Sequence, residues 1–199
     1  MNLGGLGAVL ALAALVAAGV PAQAEEAAAA AKIVASPVPA DFKVPTLVET
    51  PKFRIVPLGP ALVKVDFDAY MSSIEHLQTT FTRGKDWPHP GITDADAMRD
   101  METEQARFQT RKSFAYAVLT SDGTRERGCV YVYPGIAGHD AVVQMWVTKA
   151  EHDAGFDAEL YAWVQGWMRN DWPFRNVAYP GRAIPWDVWD VKVAANKAG

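Results

Sequence analysis

The chain has a single cysteine, Cys129, and only four histidines in 199 residues. One thiol forms no internal disulfide and no cysteine metal cluster. Cys129 also has no histidine beside it in sequence and sits in an apolar run, so it reads as an inert core thiol rather than a nucleophile. His76, His89, His139 and His152 fall in unrelated segments without matching carboxylate spacing, so no zinc ligand set is expected. There is no Gly-x-Ser-x-Gly elbow and no Ser-His-Asp arrangement. Basic tracts are missing too: 19 Lys and Arg stand against 23 Asp and Glu, a formal charge of -4. Phosphate contacts need clustered cations, so a nucleic-acid partner is disfavoured. No internal repeat is visible, and no apolar run reaches the roughly 20 residues of a bilayer-spanning helix.

What the chain does have is material for one full-sized core: 50% hydrophobic residues, with seven Trp, eight Phe and six Tyr. Leu6 to Val20 is a continuous Ala, Gly, Leu and Val run, followed by Pro21-Ala22-Gln23-Ala24, a small-x-small pattern ahead of Glu25. Residues 1–24 therefore read as a signal peptide, although no Lys or Arg precedes the run; a tethering segment or a disordered leader are the other readings. Export would place the protein in the periplasm or outside the cell, with no membrane span once the leader is gone; without export it is cytoplasmic. Residues 25–52, Ala-rich and then Pro-rich, read as a disordered or extended arm.

The folded domain is expected over 53–182. Phe53-Arg54-Ile55-Val56 is a first strand. Phe67, Tyr70, Met71, Ile74, Leu77 and Phe81 recur at steps of three and four, which predicts one helix from about 66 to 81. The Trp87-Pro88-His89-Pro90-Gly91 loop follows, and Thr93 to Asp96 cap a second helix ending near Arg111. The period then drops to two. Strands are predicted at 114–119, 129–133 and 142–147, the first two joined by a turn at Ser121-Asp122-Gly123-Thr124. Thr148-Lys149-Ala150-Glu151 has the form of a capping box and predicts a long helix to about Asn170, with a strand at 176–179 after it. The short connection into that strand points to a parallel, right-handed crossover. The tail, 183–199, reads as a last strand or an extended strap. The order β-α-α-β-β-β-α-β describes an α/β (α+β) domain with a mixed, mainly antiparallel sheet flanked by helices.

This order, with the capping segment at its centre, resembles the GCN5-related N-acetyltransferase superfamily, and more closely a branch carrying Gly128-Cys129-Val130-Tyr131, Trp146-Val147, Trp172-Pro173-Phe174 and Tyr179-Pro180-Gly181-Arg182. The resemblance implies an acyl-CoA N-acyltransferase-like fold with a split between the strands at 142–147 and 176–179. It implies acetyl-CoA as co-substrate, its pantetheine arm facing backbone groups of Met145, Trp146 and Val147. The superfamily's pyrophosphate loop, laid on this chain, falls on His152-Asp153-Ala154-Gly155-Phe156-Asp157. Gly155 and the following Leu160 match; His152 stands where Gln or Arg is usual, and Asp157 replaces a small residue. Asp153 and Asp157 bring negative charge towards a diphosphate, against the helix dipole that would hold it.

Acyl transfer to an amine needs a base, a donor for the thioester carbonyl and an acid for the leaving thiolate. By resemblance Tyr179 is the candidate acid. Glu126, just before the second meander strand, is the candidate base, with a surface charge in the hairpin as its other reading. Tyr131 and Tyr133 share a strand face and either line an acceptor pocket or belong to the core. Trp87 is a candidate substrate contact. Arg182, fixed after Pro180-Gly181, either anchors an anion or pairs with Asp187 or Asp190. The expected activity is acetyl transfer from CoA to a small-molecule or peptide amine; the alternative is a non-catalytic binding or envelope-associated module on the same fold.

Overall fold

The computed structural model describes residues 36–198; the leader and the first part of the arm lie outside them. Six strands form one sheet in sequential order: β1 (Val48–Glu49), β2 (Phe53–Pro57), β3 (Phe114–Thr120), β4 (Glu126–Pro134), β5 (Ala141–Val147) and β6 (Val177–Ala178). The first five are antiparallel to their neighbours and β6 is parallel to β5. This mixed, mainly antiparallel sheet flanked by helices is the architecture that the periodicities anticipate.

Two helical layers cover the sheet. On one face lie α1 (Val63–Met71), α2 (Ile74–Thr80) and α3 (Asp94–Gln109), over Ala115, Ala117, Leu119, Cys129 and Trp146. A short α4 (Lys149–Asp153) leads into α5 (Phe156–Asp171) on the other face, where Phe156, Leu160, Val164, Trp167 and Met168 pack on Ile55, Tyr116, Val130 and Val143. Alternation along each strand supplies the two faces, and β3, central and covered on both, is apolar or Ala at every buried position.

Two of the three helices expected from sequence are broken, while the one capped at Thr93 runs intact to Gln109. The 66–81 stripe divides at Ser72-Ser73: Ser72 Oγ donates to Ala69 O at 2.6 Å, and Ser73 leaves helical geometry at φ -139. The break frees the Ser73 hydroxyl to accept the Lys149 N–H at 2.8 Å, so it satisfies a first-turn amide of α4 that has no partner within its own helix. The second break falls at Gly155, whose φ of 82 is left-handed and ends α4. The capping box is only half made. Thr148 Oγ1 accepts from Glu151 N, but the Glu151 carboxylate is taken by Arg125 and Arg127, at 2.7 and 2.6 Å.

Residues 36–52 are fastened to the domain. Val38 is buried, Phe42 packs on Trp172, Arg111 donates to the carbonyls of Pro39 and Phe42, and Tyr116 Oη donates to Pro45 O. The tail is neither strand nor strap: after a bridge between Pro180 and Ile184 it forms α6 (Trp186–Ala198), which sets Trp189 on Val142 and Ala178. No helix among the described residues is long and apolar enough to cross a membrane.

Candidate functional site

Strands β5 and β6 touch only at their base. Ala141 pairs with Val177 and Val142 with Ala178. Asp140 rivets this junction: its carboxylate accepts the Arg175 and Asn176 amides at 2.7 and 2.9 Å, and its own amide donates to Asn176 O. Beyond Val142, the outer edge of β5 from Val143 to Val147 has no strand beside it among the described residues, while the other chain turns away at Pro180-Gly181. Gly181 is required there twice over. Its φ is 75, and a Cβ would lie 2.4 Å from the Trp186 indole nitrogen.

The wedge so formed holds a cavity of about 320 Å³. Gln144, Met145, Trp146 and Val147 form its β5 wall; His76, Thr79, Thr80 and Phe81 come from α2 and the residue after it. His152 of α4 and Asp157 in the first turn of α5 lie at another side, with Pro180, Gly181, Arg182 and Trp186 opposite β5. Arg83 bridges the α2 and α6 sides: it lies over the Trp186 ring at 4.1 Å and donates to both Asp190 oxygens at 2.9 and 3.0 Å.

Of the residues singled out from sequence, the wedge gathers Met145, Trp146, Val147, His152, Asp157 and Arg182. Arg182 pairs with neither Asp187 nor Asp190. Its guanidinium meets Asp157 through two bonds of 2.7 and 2.9 Å, tying α5 to the turn after β6. Burial works to raise the Asp157 pKa, but the Arg182 bonds and charge outweigh it and hold the carboxyl below its usual range. Its negative charge is thus already matched.

Other candidates lie elsewhere. Ala154 caps α4, Gly155 makes the turn, Phe156 is in the core under Arg127, and Asp153 is an exposed partner of Lys149. Tyr179 stands T-shaped on Tyr161 at 5.6 Å, outside the cavity lining, and burial pushes its hydroxyl up to about 12. Glu126 is neither a hairpin surface charge nor a wall of the wedge; it is 1% exposed, beneath α1 beside Cys129. Tyr131 and Tyr133 stack on each other, and Tyr131 Oη accepts the Trp146 indole N–H at 3.2 Å, one layer behind the cavity. Trp87 packs on Tyr70, Phe81 and Trp146, again behind the wall. None of these three aromatics lines the cavity.

Sequence reasoning missed His76, Gln144, Thr80 and Trp186. His76 meets His152 ring to ring at 4.9 Å. Burial lowers its pKa first, and His152 and Lys149 lower it further. A histidine so placed is neutral near pH 7 and offers a ring nitrogen able to take a proton. No spacing links positions 76 and 152; the fold brings them together, with the Ser73–Lys149 bond docking α2 on α4.

No protein-family model matches the chain, and no curated protein matches it. Solved structures do. The ribosomal-protein-S5-alanine acetyltransferase from Vibrio fischeri shares 10% identity at a TM-score of 0.53, over 76% of this chain and 81% of that one. A ribosomal L7/L12 α-N-protein acetyltransferase in complex with coenzyme A shares 13% at 0.49, over 64% and 69%. An acetyltransferase from Salmonella typhimurium that modifies the N-terminal serine of L7/L12 shares 10% at 0.47, over 61% and 67%. At 10% identity the likeness to the Vibrio fischeri structure is one of fold. The described domain has the architecture of the GCN5-related N-acetyltransferases.

Proposed function

We propose that the wedge receives the pantetheine arm of acetyl-CoA, or a related acyl-CoA, and that the protein moves the acyl group to a small-molecule or peptide amine. One observation carries this reading: the edge of β5 beyond Val142 has no strand beside it among the described residues, and four of its residues, Gln144 to Val147, line a polar cavity that the first turn of α5 also reaches. Peptide groups on such an edge suit the amides of a pantetheine chain, as an added strand would. The start of α5 supplies positive potential for a diphosphate, and His152 and Arg182 line the same cavity. Bound acyl-CoA would supply an activated thioester. Of the chain's own groups, neutral His76 is suited to take the amine proton, and Gln144 is a polar donor on the wall. If the leader exports the chain, this chemistry takes place outside the cytoplasm.

A second reading is favoured by a specific observation: Glu126 and Tyr179, the candidate base and acid, lie off the cavity. On that reading the fold is kept as a binding or envelope-associated module. Titration calorimetry of the full chain with acetyl-CoA tests the first reading. Saturating heat at micromolar concentrations supports it, and silence up to about 1 mM sinks it. Binding without thiol release across a panel of primary amines and peptides favours the module.

A further inference from the structure

The opposite end of β4 holds a second group of chemically capable residues. Glu126 and Cys129 are three apart on one strand and would ordinarily face opposite sides. A bulge corrects this: Val118 faces Gly128 and Leu119 faces Glu126, leaving Arg127 as the extra residue. Both side chains then point beneath α1, which contributes Asp66. All three are sealed from solvent, and one ligating atom from each lies within 4.8 Å of the others.

We propose that Asp66, Glu126 and Cys129 form a site for one divalent transition-metal ion of the zinc type. The distances suit it. With zinc bonds of about 2.3 Å to sulfur and about 2.0 Å to oxygen, tetrahedral coordination puts sulfur and oxygen roughly 3.5 Å apart. Cys129 Sγ lies 3.0 Å from Glu126 Oε1 and 3.7 Å from Asp66 Oδ1, on either side of that value. A second, separate observation is the other Glu126 oxygen, Oε2, which is fully buried and, unless a proton is shared with Asp66, has no hydrogen-bond partner. A carboxylate oxygen in that position costs stability unless a proton or a cation meets it. The donor set narrows the choice: a thiolate excludes magnesium and calcium, and two carboxylates with a thiolate suit zinc or cobalt better than copper(I).

Without the ion the site must hold protons. Burial drives the Asp66 carboxyl up to about 7 and keeps the Glu126 carboxyl and the Cys129 thiol protonated well above their ordinary ranges. Metal entry displaces those protons, leaving three anionic ligands on a dication, so binding couples to proton release and to folding. The site is distinct from the wedge: none of its residues lines that cavity, and its role is structural, pinning α1 to β4.

The test uses the full chain, refolded with one equivalent of Co²⁺ and, separately, assayed for metal content after purification without chelator. Expected are about one ion per chain, a thiolate-to-cobalt charge-transfer band and a chelator-sensitive rise in Tm. Cys129→Ser should abolish the band. Glu126→Gln should weaken Co²⁺ binding by roughly a hundredfold or more, because ligands matter at least as much as the groups behind them. If Cys129→Ser does not fold, Glu126→Gln and the chelated wild-type chain carry the test. A wild-type chain that purifies without metal, and refolds with Co²⁺ showing neither band nor Tm change, overturns the proposal and leaves a proton-sharing acid pair.

Discussion

Two glycines with equal room around them should respond to alanine in opposite directions. A Cβ added at Gly155 or at Gly166 meets nothing within 4 Å, so neither substitution is opposed by crowding. The difference is backbone. Gly155 turns the chain from α4 into α5 at φ 82, where an L-residue costs about 1–2 kcal/mol. Restricting the unfolded chain returns about 0.4–1 kcal/mol of that. Gly155→Ala should therefore destabilise by about 1 kcal/mol. Gly166 lies inside α5 with ordinary helical geometry, so Gly166→Ala should stabilise by about 0.5–1 kcal/mol. For a chain of this size each change moves Tm by about 2–4 °C, one down and one up. Urea unfolding followed by tryptophan fluorescence reads both, with an unchanged m value as the check that only stability moved. Gly155→Asn should recover part of the loss, since asparagine tolerates left-handed backbone. If the two alanine variants are equally stable, the turn at Gly155 is not as described and the start of α5 must be redrawn.

Three further outcomes follow from the charges. Glu151 is buried between Arg127 and the more exposed Arg125; burial opposes its ionisation, but the two guanidiniums prevail and its pKa is lowered. Glu151→Gln should cost about 2 kcal/mol by urea denaturation, less than a fully enclosed pair because Arg125 is solvated. A lowered folded pKa means this stabilisation is complete above the unfolded carboxyl value near 4.3 and is lost as pH falls through the folded one, so the variant should show a flatter acid-unfolding curve below pH 5. At the wedge, Asp157→Asn should free Arg182 for an anion and tighten acetyl-CoA binding roughly tenfold, and Arg182→Ala should weaken it by a similar factor, both read by calorimetry; matching shifts in the same direction would contradict the pairing. The pKa of His76 is lowered by folding, so its neutral form stabilises above the unfolded value near 6.5 and that stabilisation is lost as pH falls through the folded pKa. His76→Gln should therefore lessen the drop in Tm between pH 7 and pH 5.

The strands from β2 to β6 and the mixed sheet they make were legible because strands at period two and helices at three and four announce themselves locally; the split beside β5 was an implication of the family resemblance, and β1 lay in the segment read as an arm. The breaks at Ser72-Ser73 and Gly155 were not legible. Each is set by a partner distant in sequence, Lys149 for the first serine pair, or by one dihedral angle that leaves the apolar stripe intact. Trp186 to Ala198 hid its helix behind Ile184-Pro185, a pair that reads as extended chain although proline also suits the residues ahead of a helix. Glu126 was misplaced because strand alternation has no way to register a bulge at Arg127. Of the two readings of Arg182, the ion pair named Asp187 or Asp190 because they are near in sequence, whereas Asp157 is its neighbour in space. Tyr131, Tyr133 and Trp87 looked like pocket residues; the aromatic excess of the chain is spent instead on a layer behind the wall.

The grip of Arg83 on Asp190 and Trp186 makes the final helix a structural shutter rather than an appendage. Shortening the chain ahead of Trp186 would strip one side from the wedge, uncover Ala178 and Val142, and remove one of the two reasons for glycine at position 181. Reagents fused or crosslinked along that helix would therefore report on entry to the cavity, even though they sit on the outside of the molecule.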